Sequence, residues 1–156
     1  MKKLSLLLCL GMTIPSLTGS LSSGFGQKIV KCPVNRQGHP IKYSVGRIRR
    51  ASTNKVPTLL LQISVPAENF NRQDMTALAQ QLKDRFCHEE HLNVALCDSH
   101  KAARDGLLIF NLLNHEADPA LRGFYDLDRT SGKESIAFST ERGKSLNEIV
   151  IELGKK

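Results

Sequence analysis

The stretch from Pro57 to Asp105 constrains this 156-residue chain most, because its apolar spacing changes twice within it. In Thr58 to Val65, Leu59, Leu61, Ile63 and Val65 fall two residues apart, and Leu60 adds apolar area on the other side. A strand apolar at most positions predicts a place in the middle of a sheet. Past Pro66 the spacing opens, and Met75, Leu78, Leu82 and Phe86 recur at three- and four-residue steps. Residues 72–86 therefore predict a helix with one apolar stripe. Asn71 can cap it, Asp74 stands at its third position, and Phe70 is placed to pack on Met75. From Leu92 to Cys97 the period of two returns, with Leu92, Val94 and Leu96 on one side. Strands joined through a helix are expected to be parallel, with a right-handed crossover. Asp98 or Ser99 then caps a short helix that ends near Gly106.

The flanks supply further strands. Ile41, Tyr43 and Val45 alternate with polar residues and predict a half-buried strand over 41–46. It gives way to GRIRRASTNK, whose arginines are expected at or past its end and exposed. Upstream, GQKIVKC (26–32) reads as a short strand and PVNRQGHP as a loop. Downstream, LLIFNLL (107–113) fits strand or helix equally. GFYDLD and ESIAFST flank RTSGK, which predicts a hairpin with strands over 121–127 and 134–139 and Gly132 in the left-handed position. Tyr125, Leu127, Ile136 and Phe138 should point inward. The tail LNEIVIEL fits a strand through Ile149, Ile151 and Leu153, or a short helix, which its spacing slightly prefers. The sum is a single small α/β or α+β domain. It has a mixed sheet, a β-α-β unit (58–97) and a C-terminal β-hairpin (121–140).

Residues 1–22 have the layout of a signal peptide. Lys2 and Lys3 precede an apolar run, Leu4 to Ile14, shorter than the roughly 20 residues a membrane-spanning helix needs. Pro15 and a tract of small residues follow, which places a cut between Thr18 and Gly26; the rival reading is an uncleaved anchor. This divides the chain into a signal (1–22), a basic N-terminal segment or linker (23–40) and one domain (41–156), in a secreted or periplasmic protein. No later apolar run is long enough to span a membrane.

From Lys28 to Lys55 there are eight Lys and Arg residues and no acid, and after it twelve basic residues face fifteen acidic ones. The basic run either folds against its own acidic domain or offers Arg47, Arg49, Arg50 and Lys55 to an anionic partner such as nucleic acid, lipid headgroups or cell-wall polymer.

Motifs for specific chemistry mostly fail on inspection. Cys87, His91, Cys97 and His100 resemble zinc ligands. With Cys87 ending a helix and Cys97 ending the next strand, however, the two lie roughly 16 Å apart, too far to share a metal or a disulfide. Cys32–Cys97 is the more plausible bridge if the N-terminal strand joins the sheet. The sequence Arg142-Gly143-Lys144-Ser145 lacks the first glycine of a phosphate loop, HEEH (88–91) lacks the zinc-protease spacing, and no G-x-S-x-G elbow occurs. No metal or cofactor is expected.

The carboxyl ends of the parallel strands, where open α/β sheets bind ligands, gather Glu68, Asn69 and Asn71 from one loop and Asp98, Ser99 and His100 from the other. Glu68, Asp98 and His100 are the candidate acid–base groups, with Asn71, Asp98 and Ser99 as mere caps on the alternative view. Three functions follow. The favoured one is an exported, non-catalytic module that binds a protein or envelope component. The others are a small exported hydrolase, for example of phosphodiesters, and an electrostatic adaptor for an anionic polymer or lipid.

Overall fold

The period-two residues build the centre of the fold, and the sheet grows outward from them. A computed structural model describes residues 40–53, 56–105 and 118–154, all within one compact unit, Lys31–Lys156. The expected signal, the short strand at 26–32, Lys55 and the apolar run at 107–113 lie outside the described residues. The elements are β1 (Ser44–Thr53), β2 (Val56–Ser64), a 3-10 turn (Ala67–Asn69), α1 (Arg72–Arg85), β3 (His91–Cys97), α2 (His100–Asp105), β4 (Leu121–Asp128), β5 (Lys133–Phe138) and β6 (Ile149–Glu152). The six described strands form one mixed sheet whose spatial order equals their order in the chain. Only β2 and β3, joined through α1, run parallel; every other neighbouring pair is antiparallel. This is an α+β architecture.

Alternation along the strands sorts side chains onto two faces. Leu59, Leu61 and Ile63 of β2, Leu92, Val94 and Leu96 of β3, Tyr125 and Leu127 of β4, and Ile136 and Phe138 of β5 join Met75, Leu78, Ala79 and Leu82 of α1 in one buried core. α1 begins where expected: the Asn71 side chain accepts the Asp74 N–H at 2.9 Å. At its other end Arg129 covers an orphan carbonyl, with Nη2 donating to Lys83 O at 2.8 Å. The buried Glu134 carboxylate accepts from Lys83 Nζ at 2.5 Å and from the Tyr125 hydroxyl at 3.0 Å, which fastens helix to sheet.

The opposite face is covered only in part. Short α2 lies across the ends of β1, β2 and β3 and encloses a second, smaller core of Ala95, Cys97, Ala103 and Leu121. Gly46 permits that approach, because a Cβ there would collide with the backbone of Ala103 and Arg104. Gly46 is also the extra residue of a bulge in β1, since Val45 pairs with Ile63 but Arg47 with Gln62. At the β4–β5 turn Gly132 takes φ 73°, the left-handed conformation its sequence context implies.

Two expectations need correction. β1 does not stop near residue 46; it starts at Ser44 and runs through the basic stretch to Thr53. Its length is set by backbone pairing with β2 all the way to Thr53↔Val56, a ladder that asks nothing of side-chain hydropathy. The tail is a strand, not a helix. The free edge of β5 offers Ile149–Glu152 a ladder, and Ile149 and Ile151 then pack against the main core. A helix over the eight residues 146–153 would leave its first four N–H and last four C=O groups without intrahelical partners.

Leu78 is fully buried beneath α1. Leu78→Ala should cost about 2–5 kcal/mol, read as a lower urea midpoint with an unchanged slope.

Candidate functional site

Asp98, at the carboxyl end of the parallel pair, is where sequence and geometry first meet. Its side chain has 0% exposure, and the Arg122 side chain has 4%. Arg122 reaches it because β4 bulges: Leu96 pairs with Gly123 and Cys97 with Leu121, so Arg122 is the extra residue and is re-aimed. Arg122 Nη1 donates to Asp98 Oδ2 at 2.7 Å, while its Nε and Nη2 donate to Ser139 O at 3.2 and 3.1 Å. The guanidinium carbon stands 4.6 Å from the centre of the Phe70 ring. From outside, Arg142 adds two bonds of 2.8 Å, one to each Asp98 oxygen. Burial by itself would raise the Asp98 pKa, but hydrogen bonds and charge from Arg142 and Arg122 outweigh it and hold the carboxyl below its usual range. Both oxygens are committed to structure.

The other strand-end candidates do not converge on Asp98. Glu68 is exposed on the 3-10 turn, and its carbonyl accepts Asn71 Nδ2 at 3.3 Å. His100 is exposed at the start of α2. It shares with Asp98 the lining of a cavity of about 280 Å³ to which Glu68 does not contribute. Asn69 and Asn71 both donate to Asp74, whose pKa they lower. Ser99 caps α2, accepting Ala102 N–H at 3.4 Å.

The cysteines also part company. Cys97 is a free thiol, buried under α2 and pushed up to about 12 by burial first and then by the charges of Asp118 and Asp98. Cys87 is in a disulfide whose partner lies outside the described residues. The expected Cys32–Cys97 bridge is therefore excluded: Cys97 is packed within the small core beside Ala103 and Leu121.

The basic cluster is divided by the strand that carries it. Arg47 and Arg49 pair with Gln62 and Leu60 and share the face opposite α1; Arg50 pairs with Leu59 and lies on the α1 side. There its guanidinium holds both oxygens of Glu89, at 2.9 and 2.5 Å.

A cleft that the sequence did not point to, of about 820 Å³, lies on the part of the sheet face that α2 leaves open. Register aligns its floor into two rows running across the strands. One row is Leu60, Asn93, Asp126, Ser135 and Glu152; the other is Ala51, Thr58, His91, Asp128 and Lys133. Asn93 Nδ2 donates to Asp126 Oδ1 at 2.5 Å. Surrounding protein raises the Asp126 carboxyl, and the Asn93 bond offsets part of that rise. His91 Nδ1 lies 3.4 Å from Asp128 Oδ1. Asp128 is held far below the usual carboxylate range by the Ser131 and Thr130 hydroxyls and their backbone N–H groups, so it serves the turn. Among the described residues, Asp126 Oδ2, the Glu152 carboxylate, the Lys133 ammonium and the Ser135 hydroxyl bond to nothing else. The cleft can therefore exchange hydrogen bonds and charge with a ligand.

No family model, no curated protein and no solved structure matches the chain.

Asp98→Asn would leave Arg122 buried without its counter-charge, and the expected loss is about 3–5 kcal/mol. Because the folded pKa of Asp98 is lowered, its contribution is present above the unfolded value of about 3.9 and is lost as pH falls through the folded one. Chemical denaturation from pH 6 down to pH 2 should show a shallower acid loss in Asp98→Asn than in the wild type. Cys97 should stay silent to a thiol reagent in the native state and react on unfolding, giving one additional titratable thiol without reductant.

Proposed function

We propose that this chain is an exported, non-catalytic binding module, and that it holds a polar group of a protein or envelope component in the cleft on the sheet face. The observation that carries this reading is the row Asn93–Asp126–Ser135–Glu152, aligned across four strands at the floor of the 820 Å³ cleft. A cavity of this size lies within the range of about 300–1,000 Å³ typical of ligand sites. Its polar groups stand on strands, which hold them more rigidly than loops would. Export is inferred from the layout of residues 1–22 and accords with the disulfide at Cys87.

The rival readings have less support. Hydrolysis by Glu68, Asp98 and His100 would need three groups near one reacting atom. Asp98 is sealed by two arginines, and Glu68 lies outside the cavity that His100 lines. An adaptor working through Arg47, Arg49 and Arg50 would need them on one surface, and alternation places Arg50 on the other face from Arg47 and Arg49.

The test is capture from an envelope extract by the intact protein, at low and at high salt, beside the Asp126→Asn/Glu152→Gln variant. The wild type should retain a partner in high salt, and the variant, folded to the same melting temperature, should lose it at least about tenfold, the effect of one charge-assisted hydrogen bond. Equal retention by both proteins would remove the cleft from the function. A hydrolytic activity abolished by His100→Ala would replace binding with catalysis.

A further inference from the structure

We infer that the cavity at the carboxyl end of β2, lined by Lys42, Ser44, Ser64 and His100, is a binding site for a small oxyanion of the phosphate or sulfate class. It is separate from the sheet-face cleft and does not depend on that reading.

The site is assembled by register and by the close approach of α2. Ser44 and Ser64 are cross-strand partners at the last rung of the β1–β2 ladder, so their hydroxyls stand side by side on one face. That face is the one α2 covers, and His100 is the first residue of α2. The Gly46 bulge lets α2 come this close to β1. Lys42 enters from the chain just before β1. None of these four side chains has a hydrogen bond or ion pair to another described residue. The lining thus offers an ammonium, two hydroxyls and an imidazole, all able to donate.

Among the described residues, the only acid in the lining is Asp98, and its carboxylate is turned into the bulge and enclosed by Arg122 and Arg142. Its charge is taken up by these two guanidiniums, so it presents no unmatched carboxylate to the cavity. An oxyanion there meets hydrogen-bond donors and the Lys42 ammonium. At about 280 Å³ the cavity falls below the roughly 300–1,000 Å³ of sites for drug-sized ligands. It suits a single anionic group, either a free ion or the head of a phosphorylated lipid.

The test is an amide NMR titration of the intact protein with inorganic phosphate at constant ionic strength, with chloride as the matched control. A parallel arm uses phosphatidylglycerol vesicles in a sedimentation assay. Saturable shifts should be confined to residues 42–44, 64–65 and 98–100. Lys42→Ala/Ser64→Ala should weaken phosphate at least about tenfold, as expected for the loss of one charge-assisted bond. Arg50→Ala and Asp126→Asn/Glu152→Gln should leave it unchanged. Vesicle binding lost in the same Lys42/Ser64 variant assigns the site to a lipid headgroup; phosphate binding without vesicle binding assigns it to a free or soluble phosphorylated ligand. The inference is overturned by shifts that chloride reproduces, by shifts spread along β1, or by undiminished binding to the folded Lys42→Ala/Ser64→Ala protein.

Discussion

The bond between Asp98 and Arg122 locks the ends of three neighbouring strands to one another and to the start of α1. Asp98 follows β3, Arg122 is the bulge residue of β4, Phe70 precedes α1, and Ser139 follows β5. One guanidinium touches all of them. Two buried ions gain net stability only when good geometry and further hydrogen bonds satisfy both partners, and here every nitrogen of Arg122 has an acceptor. Arg142 completes the set from a segment without regular structure. A group that looks like a catalytic acid in the sequence is the fastener of the sheet's carboxyl edge.

Most of the fold was legible because hydrophobic period and capping agree with each other. The run Leu59–Val65, the stripe Met75–Leu78–Leu82 and the alternation Leu92–Val94–Leu96 each point to one element, and Asn71 marks where the helix begins. Failures came where side-chain pattern and backbone pairing part. Arg47 to Thr53 carry no strand signal, yet the β2 edge extends them. The tail fits two periods over eight residues, and only the vacant edge of β5 decides between them.

The candidate sites were legible by a different measure. Asp98 and His100 could be named because they follow a strand end directly. The fate of Asp98 could not, since Arg122 and Arg142 lie 24 and 44 residues away. The cleft floor was hidden for the same reason. Asn93, Asp126, Ser135 and Glu152 come from four strands, and each taken singly is an ordinary outward-facing polar residue. Their only local trace is alternation, which places each on the face away from Leu92, Tyr125, Ile136 and Ile151. Register brings them into line, and register depends on bulges such as the one at Arg122. The same limit applied to the cysteines, where burial of Cys97 settled which thiol stays free.

Strand order that follows chain order has a kinetic consequence. Each strand pairs with the one made just before it, so a chain emerging amino end first, from a ribosome or a translocation pore, can add strands without waiting for a distant partner. Loop closure is short between β1 and β2 and between β4 and β5, and longest in two passages, through α1 between β2 and β3 and through α2 between β3 and β4; folding speed follows the locality of contacts. Those two steps set the pace, and β6 arrives last. Until it docks, β5 presents a bare edge able to pair with another unfinished chain. The four residues at the end of the sheet thus decide how long a newly made molecule stays open to aggregation.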